Sequence, residues 1–307
     1  MDGLYNVYSD YLRKKYGEKV YKLPVNLPVT CPNRDGTLGY GGCIFCGEKG
    51  AGFENLSNTL SVKEQIKVNM EYIRHKYKAH KFIAYFQTYT STYLPVEEFA
   101  AYIHEACQPD IVAIAVSTRP DCITDDYLRV LAEVKRQYGV DIDIELGLQT
   151  TNDDTLLKLK RGHTLADFID ATNRVKGYGF TVCVHLIPDL PWDTLADVVQ
   201  TARILSELQV EQVKLHSLYV VKDTELARMY KTGEVQLLTM EDYVERVITL
   251  LAHLAPDIVL QRLVGRAPQE DTVVANWHTS WWKVKDLIET KMREQGVYQG
   301  SAITGNW

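Results

Sequence analysis

IVAIAVSTRPDCITDDYLRVLAEVKRQYGVDIDIELGLQ, residues 111–149, decides the fold. It opens on a near-continuous apolar run, IVAIAVS (111–117), and passes through a polar loop containing Pro120. An amphipathic stretch follows, begun by Thr124 and Asp125 and stopped by Gly139. The segment closes on a second β-rich run, DIDIELGLQ (141–149). Apolar residues on both faces of a strand indicate burial on both sides, as in a parallel sheet. Thr or Asp before a helical stretch and Gly after it are the expected caps.

The same theme extends in both directions. Further β-rich runs are VYKLPVNL (20–27), KFIAYFQ (81–87), FTVCVHLI (180–187) and EQVKLHSLYV (211–220). From residue 81 onward their centres lie roughly 30 to 38 residues apart, close to the ~30 residues of a βαβ unit. Between the runs, SVKEQIKVNMEYIRHKY, PVEEFAAYIHEA, TLADFIDATNRVKGYG and TLADVVQTARILSEL read as helices. Six βα units predict an α/β fold, a partial (β/α)6 barrel, since a closed barrel has eight. An open doubly wound sheet fits the same periodicity. In both, functional residues gather where strands end. The predicted organisation is an N-terminal basic segment (1–19), a core (20–235) and a C-terminal extension (236–307). That extension holds a helix (MEDYVERVITLLAHL), a short strand (DIVLQRLVG) and a tail with Trp277, Trp281 and Trp282 as packing residues.

Composition excludes several classes. With 46% hydrophobic and 24% charged residues in 307, the chain is neither disordered nor a disulfide miniprotein. No uncharged apolar stretch reaches the ~20 residues that cross a bilayer, and the start lacks the apolar core of a secretory signal. A cytoplasmic protein without a membrane partner is expected. Net charge is −6, yet residues 1–81 hold 13 Lys/Arg against 8 Asp/Glu. The excess sits in two tyrosine-bearing stretches, with Arg13, Lys14, Lys15 and Lys19 in one and Arg74, Lys76 and Lys78 in the other. Such a surface suits RNA, because cations replace phosphate counterions and tyrosines stack on bases. A solvated basic face accounts for it equally well.

Of the six cysteines, Cys107, Cys122 and Cys183 are scattered and read as buried small hydrophobes. Cys31, Cys43 and Cys46 crowd into TCPNRDGTLGYGGCIFC, directly after the first run. Gly36, Gly39, Gly41 and Gly42 between them allow positive φ and a close wrap. Structural zinc would need a fourth ligand, and a redox Cys-x-x-Cys leaves Cys31 without a purpose. A cubane iron–sulfur cluster takes three thiolates and leaves one iron open, which the position after the first strand favours.

These residues resemble the radical S-adenosylmethionine (SAM) enzymes over roughly residues 20–265. The resemblance implies that the three cysteines hold a 4Fe-4S cluster whose fourth iron binds SAM. An electron then cleaves SAM to methionine and a 5′-deoxyadenosyl radical that takes hydrogen from substrate. An external donor of flavodoxin or ferredoxin type would supply the electron. The family's usual first gap is three residues; the eleven here resemble the branch of the Elongator catalytic subunit.

By that resemblance, the SAM contacts fall at successive strand ends. Gln87 and Thr88 stand where the second-strand motif meets the amino group, without its usual Gly-Gly-Glu. Ser117 takes a position commonly held by a ribose-binding carboxylate. Gln149 would reach the ribose or methionyl part, and Arg161 the carboxylate, for which a planar guanidinium is suited. His185 replaces an acidic residue. No catalytic residue beyond these is assigned, and His163 and His216 read as structural.

The segments LKRGHT, VKLHSLYVVKDTELARMYKTGEV and QRLVGRAP are similar to the Elongator-type branch. Short bacterial members lack the acetyltransferase domain and are linked to tRNA wobble-uridine modification. The resemblance therefore implies a tRNA substrate and conversion of carboxymethylaminomethyl-uridine to aminomethyl-uridine. A radical enzyme acting on a small molecule, a zinc-bearing non-radical barrel and a non-catalytic iron–sulfur RNA-binding protein are the competing expectations.

Overall fold

The computed structural model describes residues 3–48, 55–266 and 271–303. Among these described residues nine strands form: β1 (Val20–Val25), β2 (Lys81–Phe86), β3 (Ile111–Thr118), β4 (Asp141–Gln149), β5 (Thr181–Leu186), β6 (Gln212–Leu215), β7 (Val220–Val221), β8 (Val259–Arg262) and β9 (Thr272–Val274). The helices are α1 (Tyr8–Tyr16), α2 (Val62–Tyr77), α3 (Val96–Ala106), α4 (Asp125–Tyr138), α5 (Asp153–Lys158), α6 (Leu165–Gly177), α7 (Leu195–Glu207), α8 (Glu225–Thr232), α9 (Met240–His253) and α10 (Trp281–Gln295). Four begin with reciprocal capping boxes, at Ser61/Glu64, Thr164/Asp167, Thr194/Asp197 and Thr239/Asp242. Each box satisfies orphan backbone N–H groups at the point where the chain leaves a loop.

Seven strands make one all-parallel sheet in the order β1-β2-β3-β4-β5-β6-β8. A doubly wound sheet reverses its strand order at a switch point. This order never reverses, so the sheet curls into a half-barrel. Alternate residues such as Phe82, Ile114, Ile144 and Val184 face outward into the main core with the helices. The inner face carries Ile83, Tyr85, Ala113 and Ala115, against which α1 packs Tyr8, Leu12 and Tyr16. The basic N-terminal segment is thus a helix that fills the trough of the half-barrel.

Three expectations change. The run 211–220 is not one strand: β6 ends at Leu215, and β7 pairs antiparallel with β9 in a separate ribbon. His216 still donates its N–H to the Leu186 carbonyl (2.8 Å), after which the chain turns and Leu218 donates to the Asp189 carboxylate (2.9 Å). The strand in the C-terminal stretch, β8, pairs parallel with β6 and supplies a seventh strand. The sheet edges are linked by Lys22 Nζ of β1, which donates to Gln261 Oε1 of β8 at 2.8 Å. Trp277 donates its indole N–H to the Leu238 carbonyl (2.8 Å), and Trp281 packs on the core, but Trp282 is 50% exposed. Among the described residues no helix is long and apolar enough to cross a membrane.

Candidate active site

Parallel register converts strand order into rungs across the inner face. Ser117, Glu145, Cys183 and Gln212 share one rung; Gly147, His185, Lys214 and Arg262 share the next toward the strand ends. Side chains from these rungs floor a cavity at the C-terminal end of the sheet, roofed by the loop after β1.

That loop carries Cys31, Cys43 and Cys46, and all three line the cavity. Three of the four loop glycines, Gly36, Gly41 and Gly42, take positive φ there, whereas Gly39 does not. Two anchors hold the loop. Ile44 donates its N–H to the Leu159 carbonyl (3.2 Å) and accepts from Leu226 N–H (2.8 Å), with its side chain buried in a small apolar cluster. Asn33, 4% exposed, donates its amide to the carbonyls of Lys160 (2.7 Å) and Arg161 (3.0 Å), and lies 3.5 Å from Cys43 Sγ.

Arg161 ties the loop to the sheet. Its Nη1 lies 3.2 Å from Cys43 Sγ, Nη2 donates to the Gly147 carbonyl (2.6 Å) and Nε donates to His163 Nε2 (3.2 Å). Burial raises the Cys43 thiol, but the Arg161 charge and the Asn33 and Arg161 hydrogen bonds outweigh it, so its pKa is lowered. Burial pushes Cys46 up to about 11, and burial with the Arg161 charge pushes His163 down to about 3, leaving that ring neutral. A Cβ at Gly147 would come within 3.1 Å of Arg161 Nη2 and 3.2 Å of Gln149 Nε2, so only glycine leaves both groups in place.

The donor set bears on what the cysteines can hold. Tetrahedral zinc–thiolate bonds of 2.3 Å place sulfurs roughly 3.8 Å apart. Among the described residues the sulfurs of Cys31, Cys43 and Cys46 do not all lie within 4.8 Å of one another, and no carboxylate or imidazole makes such a group with two of them. This wider set, with one thiol depressed by a guanidinium, suits a cluster in which each thiolate takes its own iron. Among the described residues Glu145, Cys183 and His185 do converge within 4.8 Å. Ammonium groups already occupy that position: Lys214 Nζ is 2.9 Å from Glu145 Oε2, and Lys22 bonds Glu145 Oε1.

Below the cavity these groups form one buried network. His185 Nε2 donates to Glu145 Oε2 (2.7 Å), Lys214 also donates to Tyr85 Oη (2.7 Å), and Ser117 Oγ donates to Tyr85 Oη (3.0 Å). Burial opposes the Glu145 charge, but Lys214 and Lys22 hold its pKa well below the usual carboxylate range. Burial drives Lys214 down to about 8 and His185 to about 4.

The other sequence-predicted residues divide by position. Gln87, Ser117, Gln149, Arg161 and His185 line the cavity with the cysteines. Gln87 donates to Asn55 Oδ1 (2.6 Å). Thr88 is absent from the lining: its hydroxyl donates to Asn26 Oδ1 (2.8 Å) and accepts from Asn55 Nδ2 (2.7 Å), because alternation along the strand end turns it away. Gln149 sits at φ +79°, where a register shift between β4 and β5 interrupts the ladder. Bulges re-aim side chains, and positive φ in a non-glycine residue stores strain where a site needs it.

Arg13, Lys14, Lys15, Lys19, Arg74, Lys76 and Lys78 do not join them. The helices α1 and α2 end where β1 and β2 begin, so these cations occupy the N-terminal end of the sheet. Six-residue strands put that end about 20 Å from the cavity. Lys15 pairs with Asp141 at 3.0 Å and Arg74 with Asp110, whereas Lys14, Lys19 and Lys78 are exposed.

Sequence reasoning passed over Arg119, Lys22, Glu145, Lys214 and Arg262. The signal for Glu145 and Lys214 was a charged residue at the inward alternate position of a buried strand. Arg119, 3% exposed, is gripped by Asp121 through Nε (2.9 Å) and Nη2 (2.8 Å), and its Nη1 is buried without a partner.

Residues 26–205 match the Radical SAM superfamily model, and residues 210–294 match the Radical SAM C-terminal domain. The chain is 33% identical over 298 residues to the uncharacterized protein YtqA of Bacillus subtilis, covering 96% of this chain and 92% of that one. It is 27% identical over 206 residues to the tRNA uridine(34) acetyltransferase of Methanocaldococcus jannaschii, covering 65% of this chain and 36% of that protein. The fold is similar to archaeal Elp3 of Methanocaldococcus infernus, with TM-score 0.72 and 19% identity. That match covers 91% of this chain and 64% of the Elp3 chain.

Proposed function

Because the chain belongs to the radical SAM superfamily, in its Elongator-like branch, we propose that Cys31, Cys43 and Cys46 hold a 4Fe-4S cluster beside a SAM site. We propose further that the enzyme trims the wobble uridine of tRNA from carboxymethylaminomethyl to aminomethyl. The observation that carries this reading is the convergence of three thiols and Arg161 in one cavity, with Arg161 Nη1 3.2 Å from Cys43 Sγ. When bound, the cluster supplies the electron that cleaves SAM and yields the hydrogen-abstracting 5′-deoxyadenosyl radical. The protein's residues do the positioning. Arg161 and Asn33 favour the Cys43 thiolate; Arg161, Gln149, Gln87 and His185 hold SAM. Glu145 takes the Nε2–H of neutral His185, which fixes its tautomer and leaves Nδ1 as an acceptor.

The tRNA reading draws on the name of the archaeal acetyltransferase and on the cations of the cavity mouth, Arg34, Arg262 and Arg266. Hydrogen abstraction from the methylene between the amine and the carboxylate, with one further electron returned to the oxidised external donor, would leave an iminium that water hydrolyses to the aminomethyl nucleoside and glyoxylate. The test is mass spectrometry of wobble nucleosides from a deletion strain. Carboxymethylaminomethyl-uridine should accumulate at the expense of the aminomethyl form and its derivatives; a wild-type nucleoside profile overturns the tRNA reading.

Gln149 gives a separate check. Relief of positive φ is worth about 1 kcal/mol and roughly offsets the entropy glycine loses on folding. Gln149→Gly should therefore melt at or slightly above wild type. Loss of the amide should weaken SAM binding about three- to tenfold, since a hydrogen bond contributes about 0.5–1.5 kcal/mol. Equilibrium dialysis with SAM and a thermal melt read both.

A further inference from the structure

Arg262 is the last residue of β8, and an irregular ladder turns it inward. The pairing runs Val213↔Leu260 and then Lys214↔Arg262, skipping Gln261. Leu260 belongs to the outer core, so strict alternation would send Gln261 inward and Arg262 out. Instead both serve the inner face: Gln261 bonds Lys22 and Glu145, and Arg262 lines the cavity. Shifts of this kind re-aim a side chain at the rim of a barrel.

The cations around the cavity have different partners. Arg119 is held by Asp121, Lys214 rests on Glu145, and Arg161 lies against Cys43. Arg34 lies near carbonyl oxygens within the cysteine loop, at Gly41, Cys46 and Gly47. Arg262 donates Nε to the Leu215 carbonyl (3.2 Å) and Nη2 to His216 Nδ1 (2.6 Å). Both acceptors are neutral, since burial and the Arg262 charge hold His216 far below its ordinary value. Among the described residues Arg262 has no acidic partner. It is a partly buried guanidinium in a cavity where the one carboxylate among the described lining residues, Glu145, is already committed to two ammonium groups.

We propose that Arg262 receives the side-chain carboxylate of the substrate base, so that the site selects carboxymethylaminomethyl-uridine over its aminomethyl product. This rests on the trimming reading above. A guanidinium meets a carboxylate through two parallel hydrogen bonds, and a partly desolvated site strengthens them. The product keeps the amine but has lost the carboxylate, so Arg262 finds no counter-ion on it. One group therefore captures the substrate and favours release of the product.

The anion could instead be the phosphate of the same nucleotide, and the experiment separates the two. Anticodon stem-loops bearing carboxymethylaminomethyl-uridine or aminomethyl-uridine are titrated into full-length reconstituted protein with SAM and no reductant, and fluorescence anisotropy is read. Wild type should bind the carboxylated loop at least tenfold more tightly. Arg262→Met should bind both loops alike, at the affinity wild type shows for the aminomethyl loop. Arg262→Lys, which keeps charge and fold, should retain a reduced preference. Equal weakening of both loops by Arg262→Met would indicate a phosphate contact and overturn the proposal, as would a preference that survives the substitution or is missing from wild type. Turnover separates the two readings. Trimming without preference sinks the carboxylate site alone, and preference without trimming sinks the trimming reading alone.

Discussion

Anaerobically reconstituted Cys43→Ala protein should lack the 4Fe-4S chromophore and release no 5′-deoxyadenosine from SAM and dithionite, where wild type releases it. The expected drop is at least a hundredfold. Cys43 is the best organised of the three thiols: it is 6% exposed, with Arg161 Nη1 at 3.2 Å and Asn33 Nδ2 at 3.5 Å. Its removal leaves two thiolates for a cluster that needs three, and leaves Arg161 facing an apolar methyl. The fold should survive, because Ile44 and Asn33 pin the loop through backbone carbonyls that the substitution does not touch. A far-ultraviolet spectrum matching wild type, with iron and acid-labile sulfide absent, is the complete expected result. Zinc on the wild-type protein and intact SAM would remove the proposed chemistry altogether.

The part of this site visible in the sequence was the local part. Cys31, Cys43 and Cys46 announce themselves by spacing, and the strand runs 81–87, 111–117, 141–149 and 180–187 end on residues that line the cavity. Longer-range features were not legible. β8 is four residues long, too short for periodicity to assign it to the sheet; its place is set by pairing with β6. The run 211–220 keeps an apolar pattern across a break, because Leu218 and Val220 are buried in a second cluster. In α1 the charges drew attention, whereas Tyr8, Leu12 and Tyr16, four apart, mark the face that packs into the trough. Arg13 and Lys14 lie on the solvent side of that helix. Charge composition reported a basic surface faithfully, yet could not say at which end of the sheet it lies. Arg262 depends on a ladder irregularity that no sequence pattern encodes.

Glu145→Gln should cost about 3–5 kcal/mol, the penalty for breaking a buried ion pair by removing one partner. Glu145 is fully buried between Lys22 and Lys214, and the substitution strands both ammonium groups in the trough. Lys214→Met should cost less, because Lys22 and His185 still hold the carboxylate. In a double-mutant cycle the pair Glu145→Gln and Lys214→Met should fall short of additivity by more than about 1 kcal/mol, as contacting residues in one network do. The pH dependence has a definite sign for each partner. The folded pKa of Glu145 lies well below the unfolded 4.5, so its stabilisation is complete above that value and is lost as pH falls through the folded one. Burial lowers Lys214 from 10.5 to about 8, so between those values the unfolded chain binds more proton than the folded. Stability contributed by this group therefore rises with pH across that window. Subtracting Lys214→Met from wild type in urea titrations at pH 7.5, 8.5 and 9.5 cancels the titration of groups outside this network and should leave this rise. A flat difference would mean that Lys214 keeps its proton throughout, held by Glu145 against the cost of burial.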